Sequence, residues 1–211
     1  MSEQSTAGRA PRARRSDGLR TREAILEHAA RLATVEGIEG LSLARLADDV
    51  GMSKSGLFAH FGSKEELQLA TVETAGRIFD EVVVAPAQAA PDGLARLTAL
   101  TDGFLQHVED GVFPGGCFFA SVVAELGAHP GPVRDSALVV LANWEGLLVQ
   151  ALERARAAGE ISSDADVHQL AFEIGGSLLL ANVQFVVMAA PLPLERARRA
   201  ITSRLDAVRT P

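Results

Sequence analysis

Apolar residues in this chain of 211 residues recur at three- and four-residue intervals along most of its length, and no convincing run alternates at period two. Such spacing gathers apolar side chains on one face of successive α-helices and leaves no half-buried strand, so the expected class is all-α. Ile25, Ala29, Leu32 and Ala33 mark a first helix over about 19–35, stopped at Gly37. Ser42 reads as the N-cap of a two-turn helix bearing Leu43, Leu46, Ala47 and Val50, which ends at Gly51. Ser53 then caps a second short helix, with Leu57 and Phe61 at i and i+4. Ser63, followed three residues later by Glu66, is the capping-box pattern that opens a fourth. Pro86 and Pro91 bracket an expected linker, and helices follow near 92–110, 116–127, 132–158, 164–189 and 193–208. The expected organisation is a flexible basic arm over 1–18, a small helical module over 19–79 and a larger helical body over 80–211.

The formal charge of −7 argues at first against nucleic acid, because phosphates repel carboxylates. Its distribution reverses that inference. Residues 1–64 carry ten Lys/Arg against eight acids, whereas the remainder carries ten against nineteen. Residues 1–22 alone hold six Arg with only Glu3 and Asp17. A basic front on an acidic body suggests two tasks in one chain. Cys117 is the single cysteine, which excludes an intrachain disulfide and a cysteine-based zinc site. The Arg-rich start has no apolar signal core. The most apolar stretch, 170–190, carries Glu173, Asn182 and Gln184. A soluble, cytoplasmic protein without a membrane span is expected. The five His are scattered, and the chain has no H-E-x-x-H motif, phosphate-binding loop or G-x-S-x-G elbow. No enzyme, cofactor or metal is expected; an all-α enzyme whose groups assemble only in three dimensions is the remote alternative.

Two short amphipathic helices joined through Gly51 have the spacing of a helix-turn-helix. Lys54, Ser55 and Gly56 then fall in the first turn of the second helix, where donors reach base edges in a major groove, and Ala59 lies opposite Leu57 and Phe61. The small residues Gly56 and Ala59 permit a close backbone approach. His60, Lys64 and the hydroxyl and N–H groups around Ser42 are placed for phosphates.

The run from Ile25 to Ala33, Gly37-Ile38-Glu39-Gly40-Leu41-Ser42, Leu46-Ala47, Gly51-Met52-Ser53-Lys54, Leu57-Phe58-Ala59-His60-Phe61 and Ser63-Lys64-Glu65-Glu66-Leu67 resembles the DNA-binding domain of TetR-family transcriptional regulators. The resemblance implies a homodimer that occupies a palindromic double-stranded operator and leaves it when a small ligand binds the C-terminal domain. It also implies that Lys54, Ser55, Gly56 and Ala59, with Ser53 as cap, face bases. Ser42, Phe58, His60 and Lys64 would lie at or near phosphates. Phe58 departs from the family's usual Tyr and lacks the hydroxyl that donates to phosphate, leaving it sugar or a thymine methyl to pack against.

In the body, Val167, Leu170, Ile174, Ser177, Leu178, Ala181, Phe185 and Met188 form one stripe. Leu138, Leu141, Leu148 and Leu152 form another, and each stripe is either intramolecular core or a dimer surface. An apolar or aromatic effector has Phe104, Phe113, Phe118, Trp144 and Phe172 as candidate lining, with Phe79, Phe119 and Phe185 beside them. His107, Asn143 and Gln184 are candidate polar anchors and Cys117 a further candidate lining residue; an aromatic at helical spacing is more often plain core. Cys117, near a helix start, is either an electrophile- or redox-sensing thiol of a repressor or a buried inert residue.

Overall fold

The computed structural model describes residues 11–210, with side chains from Gly18 onward. It is all-α. Among the described residues, β-pairing is confined to an isolated antiparallel bridge between Ile161 and Arg209. The helices are α1 (Pro11–Glu36), α2 (Leu43–Val50), α3 (Lys54–Phe61), α4 (Lys64–Phe79), α5 (Ala85–Ala87), α6 (Leu94–Glu109), α7 (Phe118–Leu126), α8 (Pro132–Ala157), α9 (Val167–Met188) and α10 (Leu192–Asp206).

Local chemistry sets the N-terminal elements. The hydroxyls of Ser42, Ser53 and Ser63 accept the N–H groups of Arg45, Gly56 and Glu66 at 3.2, 3.1 and 3.1 Å. Each cap satisfies a donor that the helix leaves without an intrahelical acceptor. Gly51, at φ 67°, makes the left-handed stop between α2 and α3. α1 starts at Pro11, earlier than the expected residue 19. Proline suits a first helical position, and the arginines behind it are good helix formers, so residues 11–18 of the expected flexible arm are helical. Residues 1–10 lie outside the described residues.

The expected linker also starts later than its prolines suggested. α4 runs without a break into a π-helical turn, Asp80–Val84, and then into α5. Pro86 follows directly on that turn, at the second residue of α5, and the chain stays helical through it. Val83 and Val84 are buried against the body. From Lys64 the polypeptide does not leave helix until after α5, so the module and the body are joined by a stiff helical path.

α1 packs on α4 and α7; α4 continues onto α8, and α6, α8 and α9 form the body with α10 outside α9. One apolar core runs from Ile25 through Phe79 to Leu205. Val167, Leu170, Ile174, Leu178 and Ala181 lie in it, so most of that stripe is this chain's own core, whereas Ser177 and Phe185 are half-buried and Met188 is exposed. The opposite side of α9 instead exposes Phe172, Leu179, Leu180, Val183 and Val187. On α8, Leu148 and Leu152 are buried, while Leu138 and Val139 are exposed.

The loop before α7 passes so close to α1 that a Cβ at Gly115 would stand 1.9 Å from the Thr34 carbonyl oxygen. The Gly115 N–H also donates to Thr34 Oγ1 at 3.0 Å. Gly115→Ala is therefore expected to cost about 1–3 kcal/mol, as overpacked sites do. Urea unfolding of wild type and variant measures it; equal midpoints would mean that the loop moves away freely.

Candidate nucleic-acid interface

α3 is held by its buried side, Leu57 and Phe61, and shows its other side to solvent. Arg22 of α1 lies over the Phe61 ring, 5.0 Å from its centroid, adding a cation–π contact behind the helix. Ser53, Lys54, Ser55, Phe58 and Ala59 are exposed, and Gly56 and His60 are half-buried. The expected base-facing residues thus share the outer surface of one short helix. Phe58 is 57% exposed, and that apolar ring in solvent is what a sugar or a thymine methyl could cover. Ser42 is half-buried at the start of α2. Lys64 is exposed at the start of α4, but its Nζ already donates to the Glu39 carbonyl at 2.6 Å. It has further N–H donors for a phosphate.

The α1–α2 turn is gripped from both domains. The Glu125 carboxylate of α7 accepts the N–H groups of Ile38 at 2.7 Å and Glu39 at 2.9 Å. Gln68 of α4 donates to the Ile38 carbonyl at 2.6 Å. At the other end of α7, Asn182 Oδ1 accepts the Cys117 N–H at 2.8 Å. Glu125, Gln68, Thr34 and Asn182 were not legible as functional residues. Glu125 and Ile38 stand 87 positions apart, and no local pattern pairs them. Arg45 binds Glu36 and Asp49, which ties α2 to α1, and it holds the Asp49 carboxyl below its usual range.

In the body, Phe104, His107, Phe113, Phe118 and Trp144 come together with Phe79 and Phe119. Phe79 meets Phe104, His107, Phe119 and Trp144 at centroid distances of 6.3, 5.6, 6.2 and 5.3 Å. Phe113 joins His107 at 5.5 Å and Phe118 at 5.8 Å. Phe172 does not belong here. It is 71% exposed, because α9 turns residues 171, 174 and 178 to the core and 172 away. Gln184, half-buried on α9, is likewise outside this set of ring contacts. Cys117 is buried, and burial pushes its thiol pKa up. That environment favours the inert reading over a reactive thiolate, whatever the nearby helix start contributes. Among the described residues no cluster of His, Cys, Asp and Glu could hold a metal ion.

A capped recognition helix on a three-helix module, joined stiffly to a helical body with an aromatic centre, defines a helix-turn-helix DNA-binding regulator. The comparisons agree. Residues 25–71 match the family model described as bacterial regulatory proteins, tetR family, and residues 93–201 match that of the tetracyclin repressor-like C-terminal domain. The transcriptional regulator AcuR of Cereibacter sphaeroides is 28% identical over 159 residues, covering 72% of this chain and 71% of that protein. A TetR transcriptional regulator from Chloroflexus aurantiacus superposes with a TM-score of 0.85 at 25% identity, covering 93% of this chain and 100% of that one. AibR, solved in complex with isovaleryl coenzyme A and operator DNA, shares the fold with a TM-score of 0.66 at 24% identity, covering 90% of this chain and 98% of that one. The chain belongs to the TetR family of DNA-binding transcriptional regulators.

Proposed function

We propose that this regulator is a cytoplasmic homodimeric repressor that occupies a palindromic operator and releases it when a small, largely apolar ligand enters the aromatic centre of the body. The observation that carries this reading is the path of α4. That helix starts at Lys64, directly behind the recognition helix, and ends at Phe79, whose ring touches four members of the aromatic cluster. A ligand that spreads those rings acts on the same rigid element that carries the module. Glu125 gives a second link from body to turn.

The dimer surface in this reading is the uncovered side of α9 with the exposed residues of α8. Among the described residues, Val167–Met188 is the one helix long and apolar enough to cross a bilayer, yet a third of that window is buried in this chain. Its Glu173 is ion-paired to Arg204 of α10. An apolar side left over after core packing marks an interaction site, and a twofold mate supplies a matching surface. The paired recognition helices then meet successive major grooves about 34 Å apart. The Arg-rich residues 1–18 add phosphate contacts in the same reading.

Binding to DNA upstream of its own gene, followed by fluorescence anisotropy, is expected to fall with salt at a log–log slope of about −0.9 per phosphate neutralised. Lys54→Ala should alter sequence preference, whereas Lys64→Ala should weaken all duplexes alike. Salt-independent binding, or identical behaviour of the two variants, would refute this assignment of roles.

A further inference from the structure

His107 is 3% exposed, and neither of its ring nitrogens has a hydrogen-bond partner. The rings beside it present only edges and faces: Phe79 at 5.6 Å and 89°, Phe113 at 5.5 Å and 78°. Folded proteins leave few buried polar side-chain atoms unsatisfied, so a buried imidazole with both nitrogens idle needs an explanation. The ring is held neutral, its pKa lowered to about 4 by burial, and its charged neighbour is the carboxylate of Asp110. A second anion placed there would be buried without a cation to pair with. A neutral imidazole offers one donor and one acceptor. A hydroxyl, which both donates and accepts, satisfies whichever nitrogen it meets. The rings of Phe79 and Phe113 supply aromatic carbon on two sides of the imidazole.

We propose that His107 is the polar anchor of the effector site and that the effector is a small uncharged alcohol or phenol. Its hydroxyl bonds the imidazole, and its apolar part parts the rings of Phe79, Phe104, Phe113 and Trp144. This deepens the ligand-responsive reading above and rests on it. Phe79 is the last residue of α4 and is followed directly by the π-helical turn Asp80–Val84. Such turns recur at functional sites, where the helix can shift its register. A ligand at His107 therefore pushes on α4 where the helix is most easily re-formed.

Trp144, the chain's single tryptophan, reports on the site directly, since its ring stacks on Phe104 at 5.8 Å and 28°. The full-length protein is titrated near neutral pH with benzyl alcohol, toluene and sodium benzoate while Trp144 emission is followed. Benzyl alcohol is expected to saturate the signal, toluene to bind about tenfold more weakly and benzoate more weakly still. His107→Phe keeps an aromatic ring at the site, somewhat larger than imidazole, and removes the hydrogen-bond partner, so it should erase the alcohol's advantage. Imidazole ¹⁵N shifts of the wild type give the same test without a variant: the His107 signal should move with benzyl alcohol and stay with toluene. Equal or tighter binding of toluene, preference for benzoate, silence to all three probes, or an alcohol preference that survives in His107→Phe overturns the proposal. Operator release is scored separately. Alcohol binding at His107 that leaves the operator complex intact would defeat the ligand-release reading and spare the site. Silence to every probe in a protein that still binds its operator would defeat the site and spare the DNA-binding reading.

Discussion

Val183→Asp is expected to make the protein monomeric and to lower its affinity for a two-half-site operator by about a hundredfold or more. Val183 is 48% exposed, in line with Leu180 at 58% and Val187 at 79%. A carboxylate there faces water in a lone protomer and costs the fold little. Between two copies of α9 it would be buried opposite its own mate, with like charge and no partner. Each recognition helix would then bind alone and lose the effective concentration supplied by its tethered twin, a gain of roughly 10²–10⁴ in bivalent systems. Light scattering coupled to size exclusion reads the mass, and anisotropy on full and half operators reads the affinity. The loss should be confined to the full operator. A variant that stays dimeric would place the interface elsewhere.

Acidification is expected to destabilise the body through His107. The unfolded chain's imidazole takes its proton as pH falls through about 6.5, whereas the buried ring resists until about 4. Between those values the unfolded state binds more protons, so stability rises with pH and is lost as pH drops across the window. The full difference amounts to about 3 kcal/mol. Below about 4 both states are protonated and this contribution stops changing, while further acid protonates the depressed carboxyls of Asp49 and Glu173 and removes their half of the ion pairs with Arg45 and Arg204. Denaturant unfolding of wild type and His107→Phe at neutral pH and near pH 4 isolates the effect, since other groups titrate equally in both. Parallel pH dependences would show that the ring finds water or a partner in solution.

These two expectations differ in how far they could be read from residue order. The caps Ser42, Ser53 and Ser63 act within three positions, so the helix-turn-helix and the outward side of α3 were legible from spacing alone. The aromatic centre was partly legible. Phe104, His107, Phe113, Phe118 and Trp144 do converge, but Phe172 does not, because α9 is apolar on both sides and periodicity cannot say which side meets the core. The same ambiguity left the stripe from Val167 to Met188 open between core and dimer surface until burial placed most of it in the core. Pro86 misled for a different reason: a π-helical turn ahead of it let the chain stay helical where proline usually marks a stop. The grip of Glu125 on Ile38 and Glu39 depends on tertiary approach and left no trace in spacing.

That grip bears on how such a regulator can be rewired. The reading head looks detachable, since α1, α2 and α3 are contiguous and residues 25–71 match a family model of their own. Yet the turn that sets α2 on α1 borrows an acceptor from the far half of the chain, and Thr34 fits only against a residue with no side chain at 115. Grafting residues 1–79 onto another regulator's body would leave two amides of that turn without their carboxylate. A working chimera would have to carry a glutamate at the position of Glu125 and a glycine at that of Gly115. The boundary for exchange lies along a surface, not at a cut point in the chain.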